Sequence, residues 1–502
     1  MDRKSFIVLG ACLIGLATSF PFQVNLPGFN TLDDKEPPSE SLDVFSRILE
    51  KNQASKALIQ QGDILVKKGR NAYNCADCLW PKSSDGTVKV PYKLSASYSA
   101  QNIALLNSAM QEFESLTCVR FVPWTTEKDC LDILASDGCS SYIGRIGGSQ
   151  ELNLDINGCM RLGKIEHEMN HALGFFHEQN RSDRDDYVTI MTQYISESYL
   201  YNFEKLNTNN LGVEYDYGSV MHYPSYAFSN TSGKDTIIPK GNPNIPIGQR
   251  DGLSPLDISK INKLYTCDVC SNLFSTINGI VTSANYPSSY PNNANCVWLI
   301  RTPSGQVSLQ FNAFDIQYSS GCVSDYLKIY DGPSKMSPVL VDRTCGTGLV
   351  PLMISSSNQM LIEFVSDGQG TATGFKASYT SVQCGGAFYA TGKVFTSPGY
   401  PNFYSSNMHC SYLIKAPAGN KITISFSDFS LESSGYCRYD YVKIYDGDNT
   451  SSSLLRTYCG PVNNPSVMST GNAMLVIFHS DQSTESRGFK ASYTFGQYTL
   501  MF

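Results

Sequence analysis

The sequence predicts a multidomain chain, one α+β domain followed by two all-β sandwiches, and three observations carry that prediction. The stretch His167–His177, HEMNHALGFFH, holds three of the chain's six histidines on what reads as a helix ending in a glycine turn. From Cys270 onward the chain repeats itself, each unit having four cysteines and short alternating strands between turn residues. Sixteen cysteines and a short apolar leader are the usage of a disulfide-bonded protein, not a reduced one. At 502 residues there is room for several domains, and 45 acidic against 38 basic residues, with no basic block, argue against nucleic acid as a partner.

Residues 1–19 (MDRKSFIVLGACLIGLATS) carry Arg3 and Lys4, an apolar run Phe6–Leu16 and a small-residue exit Ala17-Thr18-Ser19. They read as a secretory signal peptide, too short to span a bilayer. No other stretch is apolar enough to span one, so the mature protein is expected to be secreted and extracellular, without a membrane span. Residues 20–70 are polar, helix-friendly and end on Lys67-Lys68-Gly69-Arg70, a site for a trypsin-like processing protease. This segment reads as a propeptide. Within it Asp63 follows Gly62; a carboxylate on a glycine hinge could reach a metal and displace its water, but an ordinary loop aspartate fits the residues as well.

Residues 71–267 form the next unit. Val88, Val90 and Tyr92 alternate as in a strand. Ile103, Leu106, Met110 and Phe113 recur at helical spacing and predict an amphipathic helix over Ser99–Ser115. Short strands are expected at Arg120–Pro123, Asp132–Leu134, Tyr142–Ile146 and Glu151–Leu154, then a helix at about Gly163–Leu173. On that helix His167 and His171 lie one turn apart on the same face, so two imidazoles can share one zinc ion. Glu168 stands beside the first, where it can hold and deprotonate a water. Gly174 lets the chain turn, and His177 returns as a third ligand. Three protein ligands and an open position are the catalytic zinc pattern. Downstream, Met221 in SVMHY offers a soft apolar floor, and Tyr223 a phenol that could touch the metal or a developing oxyanion.

HEMNHALGFFHEQNRSDRDDYV followed by SVMHYPSYAFS resembles the astacin family of zinc endopeptidases, within the metzincins. The resemblance runs through YKL, CVRFVPW, CSSYIGRIGG and the closing INKLYTC. It implies the α+β metzincin fold, His167, His171 and His177 as zinc ligands, Glu168 as general base and acid, Met221 as the Met-turn and Tyr223 as a fifth, swinging ligand. It implies that Asp63 is an aspartate switch capping zinc in the zymogen. The family has Phe where this chain has Gln60, so weaker docking is expected. It implies that Asn71 becomes the first residue of the active enzyme, anchored near Glu178. The loop Pro246–Asp251 corresponds to family residues lining the pocket for the side chain after the scissile bond. Arg250 is its only cation, suited to an acidic side chain, though pairing with Asp251 or a neighbouring acid would make it merely a holder of the loop.

The family's disulfides carry over as Cys118–Cys267 and Cys139–Cys159. Cys75 and Cys78 resemble the extra amino-terminal pair of the hatching-enzyme branch, at tighter spacing. Cys130 has no counterpart. With Cys12 in the leader fifteen cysteines remain, so one thiol is free, or pairs with another chain, or Cys75, Cys78 and Cys130 are shuffled.

SANYPSSYPNNANCVWLI (Ser283–Ile300) returns as SPGYPNFYSSNMHCSYLI (Ser397–Ile414), and DYLKIYDG (Asp325–Gly332) as DYVKIYDG (Asp440–Gly447). The units, 270–380 and 384–494 with a tail 495–502, resemble CUB domains. The resemblance implies Cys270–Cys296, Cys322–Cys345, Cys384–Cys410 and Cys437–Cys459. It also suggests calcium on Glu432, Asp440 and Asp481 of the second unit; the first has Gln317 with Asp325 and Asp367, one anionic ligand fewer. The linkers are very short, so close coupling of the three units is expected. Of the sequons at Asn180, Asn230 and Asn449, Asn180 lies in the motif-dense stretch and is the least suited to carry a glycan.

The sequence thus reads as a secreted, zymogenic zinc endopeptidase with two CUB domains for protein or glycoprotein contacts. Its architecture resembles amphibian-type hatching enzymes, which implies egg-envelope glycoproteins as substrates. The alternatives are a tolloid-like developmental or matrix-processing protease, and an inert protease fold serving CUB-mediated glycoprotein binding.

Overall fold

The computed structural model describes Asn52 and residues 59–66, 78–348, 350–389, 391–392 and 394–497. The expected leader with Cys12, the expected processing site Lys67–Arg70, Asn71 and Cys75 lie outside the described residues.

The first domain is built on a seven-stranded sheet. Its strands are β1 (Ile59–Gln60), β2 (Ile64–Leu65), β3 (Val88–Leu94), β4 (Val119–Pro123), β5 (Cys130–Leu134), β6 (Cys139–Ser141) and β7 (Ser149–Leu154), in the order β1-β2-β6-β7-β5-β3-β4. β6 runs antiparallel to β7, whereas β2 joins β6 in parallel. The β1–β2 hairpin is therefore an added edge of the first domain's sheet. Helix α1 (Ala100–Leu116) is started by a capping box between Ser99 and Asn102 and buries Leu106, Met110 and Phe113, as its periodicity predicts. Helix α2 (Leu162–Ala172) carries the histidine motif and is buried almost throughout.

Two elements differ from the sequence reading. Tyr142–Ile146 is not a strand; its backbone serves the end of α2 instead. The Gly144 amide donates to His171 O at 2.8 Å and the Arg145 amide to Cys78 O at 2.6 Å. A third helix, α3 (Pro255–Leu264), was not foreseen, although Ser254-Pro255-Leu256-Asp257 holds its full start signal: an N-cap serine, proline at the first position and an acidic residue at the third.

Each repeat folds as a two-sheet β-sandwich. In the first, Cys270–Phe274, Asn295–Arg301, Gln359–Val365, Tyr326–Tyr330 and Val339–Thr344 form one sheet, and the other is centred on Gly374–Val382 and Gln306–Ile316. The second repeats this plan. The strand Asn295–Arg301 is buried on both faces. Trp298 and Ile300 point into the sandwich core, while Val297 and Leu299 join Ala109, Phe113 and Leu253 in the core of the first domain. Leu352 packs against Leu413, Leu475 and Ile477 of the second sandwich. The short linkers thus lead into direct packing.

Among the described residues, six disulfides close between described partners, Cys118–Cys267, Cys139–Cys159, Cys270–Cys296, Cys322–Cys345, Cys384–Cys410 and Cys437–Cys459, the pairings the resemblance implies. Cys78 is also disulfide-bonded. Cys130, on β5, is a buried free thiol. Asn180 is fully buried and donates to Asn202 O and Glu204 O, which leaves no room for a glycan. No described helix is long and apolar enough to cross a membrane.

Candidate metal centre

Three imidazoles converge beneath the β1–β2 hairpin. Helix α2 presents His167 and His171, and Gly174, at φ 108°, turns the chain so that His177 comes back beside them. The ring centroids are 4.7–5.2 Å apart. Each Nδ1 is committed outward: His167 donates to Val220 O at 2.8 Å, His171 to Phe175 O at 2.7 Å, and His177 to Gln61 Oε1 at 3.2 Å. That fixes the tautomers and leaves all three Nε2 atoms facing one point. Burial pushes His167 down to about 3 and His177 to about 4, so both are neutral at physiological pH, as ligands must be.

Asp63 fills that point. Its carboxylate lies 3.1 Å from His167 Nε2, 3.4 Å from His171 Nε2 and 3.2 Å from His177 Nε2. Asp63 is almost fully buried, and with the Nδ1–H groups turned outward its carboxylate faces three Nε2 lone pairs, an arrangement that a cation bound among the four groups would stabilise. Asp63 Oδ1 and His171 Nε2 are buried without a hydrogen-bond partner. A tetrahedron with legs of about 2.0–2.1 Å has edges of about 3.3–3.4 Å. Three imidazoles and one carboxylate at these separations fit zinc in both donor chemistry and size.

The hairpin is held by more than Asp63. The buried Asn52 donates from Nδ2 to Gly62 O at 2.6 Å and to Cys139 O at 2.8 Å. The Ser141 amide donates to Asp63 O at 3.0 Å, and Tyr223 donates its hydroxyl to Gln61 O. Gln60, where weaker docking was expected, is exposed, and its neighbour Gln61 makes the contacts. Neither Asn52 nor Gln61 carried any signal in the sequence.

Glu168 is buried beside this group, and its Oε2 has no hydrogen-bond partner. Burial, reinforced by Asp63, raises its carboxyl well above the usual range. Tyr223 is fully buried, its ring 4.5 Å from that of His177. The segment carrying Met221 and Tyr223 is pinned from three sides. Asp257 of α3 accepts from Ser219 Oγ at 2.6 Å and from the Val220 amide at 2.9 Å. Gln179 Oε1 accepts from the Tyr223 amide at 3.0 Å, and the Glu178 amide donates to Met221 O at 3.1 Å. Asp257 and Gln179 were missed by sequence reasoning; the N-cap signal of α3 could have found the first.

Glu178 already accepts from Lys260 at 2.6 Å, Arg181 at 3.0 Å and the Asp216 amide at 2.9 Å. Arg250 is buried and donates from Nη1 to His222 O at 3.0 Å and to Gln249 O at 2.8 Å. Burial lowers it, and the charges of Asp63 and Glu168 act on it from the centre. Asp251, the partner weighed for it, instead accepts from Arg161 at 2.8 Å.

In the second sandwich Glu432, Asp440 and Asp481 each offer an oxygen within 4.8 Å of the others, and Glu432 Oε2 is buried without a partner. In the first, Asp325 accepts from Tyr290 at 2.6 Å and from the Asp367 amide at 2.8 Å, and Gln317 Oε1 is likewise unpartnered. The first set carries one charge fewer.

Comparison with known proteins agrees with this geometry. The Astacin peptidase family matches residues 77–266, and the CUB domain family matches 270–379 and 384–493. Embryonic protein UVS.2 of Xenopus laevis is 57% identical over 515 residues, covering 99% of this chain and 100% of that protein. Astacin-like metalloendopeptidase of Coturnix japonica is 46% identical over 400 residues, 76% of this chain and 98% of that protein. Among solved structures, High choriolytic enzyme 1, a hatching enzyme zinc-protease from Oryzias latipes, is 50% identical with a TM-score of 0.38, covering 39% of this chain and 100% of that one. The chain belongs to the astacin family of zinc-dependent metalloendopeptidases and carries two CUB domains after its peptidase domain.

Proposed function

We propose that the protein is a secreted zymogen that cleaves egg-envelope glycoproteins. The observation that carries its enzymology is the set of three outwardly tethered histidines with Glu168 beside them. His167, His171 and His177 would hold the zinc, and Asp63, lying among their Nε2 atoms, would keep substrate away until the propeptide is cut after Arg70. The ammonium group of Asn71 then joins Glu178. Zinc, when bound, acidifies a water and polarises the scissile carbonyl. Glu168 takes the proton of the attacking water and passes it to the leaving amine. A buried carboxyl with a raised proton affinity suits both roles. Tyr223, released from the Gln61 carbonyl, donates its hydroxyl to the substrate oxygen as charge develops there. Arg250, lacking the Asp251 partner, stands ready for an acidic side chain after the scissile bond. Glu432, Asp440 and Asp481 hold a calcium ion in the second CUB domain.

The egg-envelope substrate is supported by the peptidase–CUB–CUB architecture and by the end-to-end match to a protein named as embryonic. Incubating activated enzyme with isolated egg envelope, then sequencing the released fragments, tests it. Envelope proteins cut at defined bonds are expected. An intact envelope beside rapid cleavage of matrix proteins would replace this reading with the tolloid-like one.

A further inference from the structure

Arg301 ends the strand Asn295–Arg301 of the first CUB domain, and its side chain enters the peptidase domain, where it is 8% exposed. Nη1 donates to Leu253 O at 3.1 Å, and Nη2 pairs with Glu112 of α1, itself 1% exposed. Leu253 in turn donates its amide to Glu166 Oε2 on α2 at 2.8 Å, one residue before His167. Two glycines permit this approach. A Cβ on Gly252 would overlap the Arg301 guanidinium, and one on Gly163, in the first turn of α2, would overlap the Arg250 backbone. Arg250 then reaches His222 O, next to Tyr223. One path of direct contacts thus runs from the first CUB domain to the zinc helix and to the segment bearing the specificity candidate. Val297 and Leu299 of the same strand lie in the peptidase core, so the contact belongs to a packed interface.

We propose that Arg301 is a positioning residue for the peptidase. It clamps Gly252–Leu253 against α2, and the catalytic unit of this chain is the peptidase domain together with the first CUB domain. Glu112 makes the clamp directional, because a carboxylate buried that deeply is costly without its cation. The Arg250–Leu253 backbone is the part that moves when the clamp is lost. This rests on the endopeptidase reading, and on no particular substrate.

The test uses the full-length, activated protein as wild type, R301K, R301M and E112Q/R301M. The readouts are kcat and KM on a quenched general peptide, Tm, and hydrogen-exchange protection of residues 249–254. R301M is expected to lower kcat/KM on the order of tenfold or more, since small misplacements near the chemistry are costly. It should also expose the 249–254 amides to exchange. R301K keeps a cation for Glu112 and is expected to recover part of the rate. The double variant removes both Glu112 and its cation and leaves only buried Glu166 without Arg301, so it should recover part of the Tm lost in R301M but neither kcat/KM nor protection. Should R301M fail to fold, the double variant and R301K decide. The proposal is overturned if E112Q/R301M returns to within about twofold of wild-type kcat/KM, for then Arg301 only neutralises Glu112. It is also overturned if R301M never departs from wild type. Because the peptide is general, an intact egg envelope leaves this result unaffected, whereas wild type inert on every peptide would remove the endopeptidase reading itself.

Discussion

Asp63 Oδ2 sits 3.1 Å from Nε2 of His167, a residue 104 positions further along the chain. The same carboxylate faces His171 and His177, so a single side chain fills the point on which the three imidazoles converge. Asp63→Ala is therefore expected to give an uncleaved precursor with peptidase activity, about tenfold or more above the wild-type precursor, because the tethered carboxylate acts at high effective concentration. Activity should stay below that of the cleaved enzyme, since β1–β2 still adds to the sheet edge. An Asp63→Ala precursor as silent as wild type would show that the hairpin alone blocks the site.

Arg250 has one nitrogen committed to the His222 and Gln249 carbonyls, and its charge is felt at the centre. A peptide library is expected to show Asp or Glu enriched just after the cut. Arg250→Ala should flatten that preference by about 1.5–3 kcal/mol, the worth of a hydrogen bond to a charged group. It should also lower the general rate, because His222 O loses its donor. A profile without acidic enrichment in wild type would leave Arg250 as a holder of the loop.

Asp216 tests the electrostatics behind the Met-turn. Burial, with Asp257 next to it, pushes its carboxyl up to about 7. A carboxyl raised on folding contributes stability that is complete below its unfolded pKa and is lost as pH rises through about 7. Between pH 5.5 and 7 that loss is about 2 kcal/mol. Asp216→Asn, neutral at every pH, should lose less Tm than wild type over this interval, by a few degrees. Parallel Tm–pH curves would contradict the assignment.

Calcium should stabilise the second CUB domain and not the first. Wild type is expected to bind one ion, Glu432→Gln none, and Gln317→Glu two, since that change restores the missing carboxylate beside Asp325 and Asp367. At about 100 times Kd one ion is worth about 2.7 kcal/mol of stability. Calcium titration by calorimetry reads the stoichiometry directly, and equal binding in wild type and Glu432→Gln would remove Glu432 from the site.

What the sequence disclosed was local. His167, Glu168 and His171 share one helix, and His177 follows at fixed spacing, so the chemistry shows in eleven residues. The repeats showed because the same strands are written twice. The disulfide partners were known only through resemblance, because no spacing rule specifies that Cys118 meets Cys267. The contacts that stayed hidden join distant segments. Asn52 binds Cys139, Asp257 holds Val220, and Arg301 meets Glu112 across 189 residues. A glutamate on the buried face of α1 looks like an interruption of the apolar pattern until the arginine that explains it is seen. Tyr142–Ile146 failed as a strand for the same reason, since its amides answer to His171 and Cys78.

Glu168→Gln is the most direct test of the whole account. The carboxamide keeps the shape of the side chain but cannot accept the water's proton. Purified, activated Glu168→Gln, assayed for metal by atomic absorption and for peptide hydrolysis in the same preparation, is expected to retain one zinc per chain and to lose on the order of 10²–10⁴ in rate. Zinc retained with near-wild-type turnover would contradict the account.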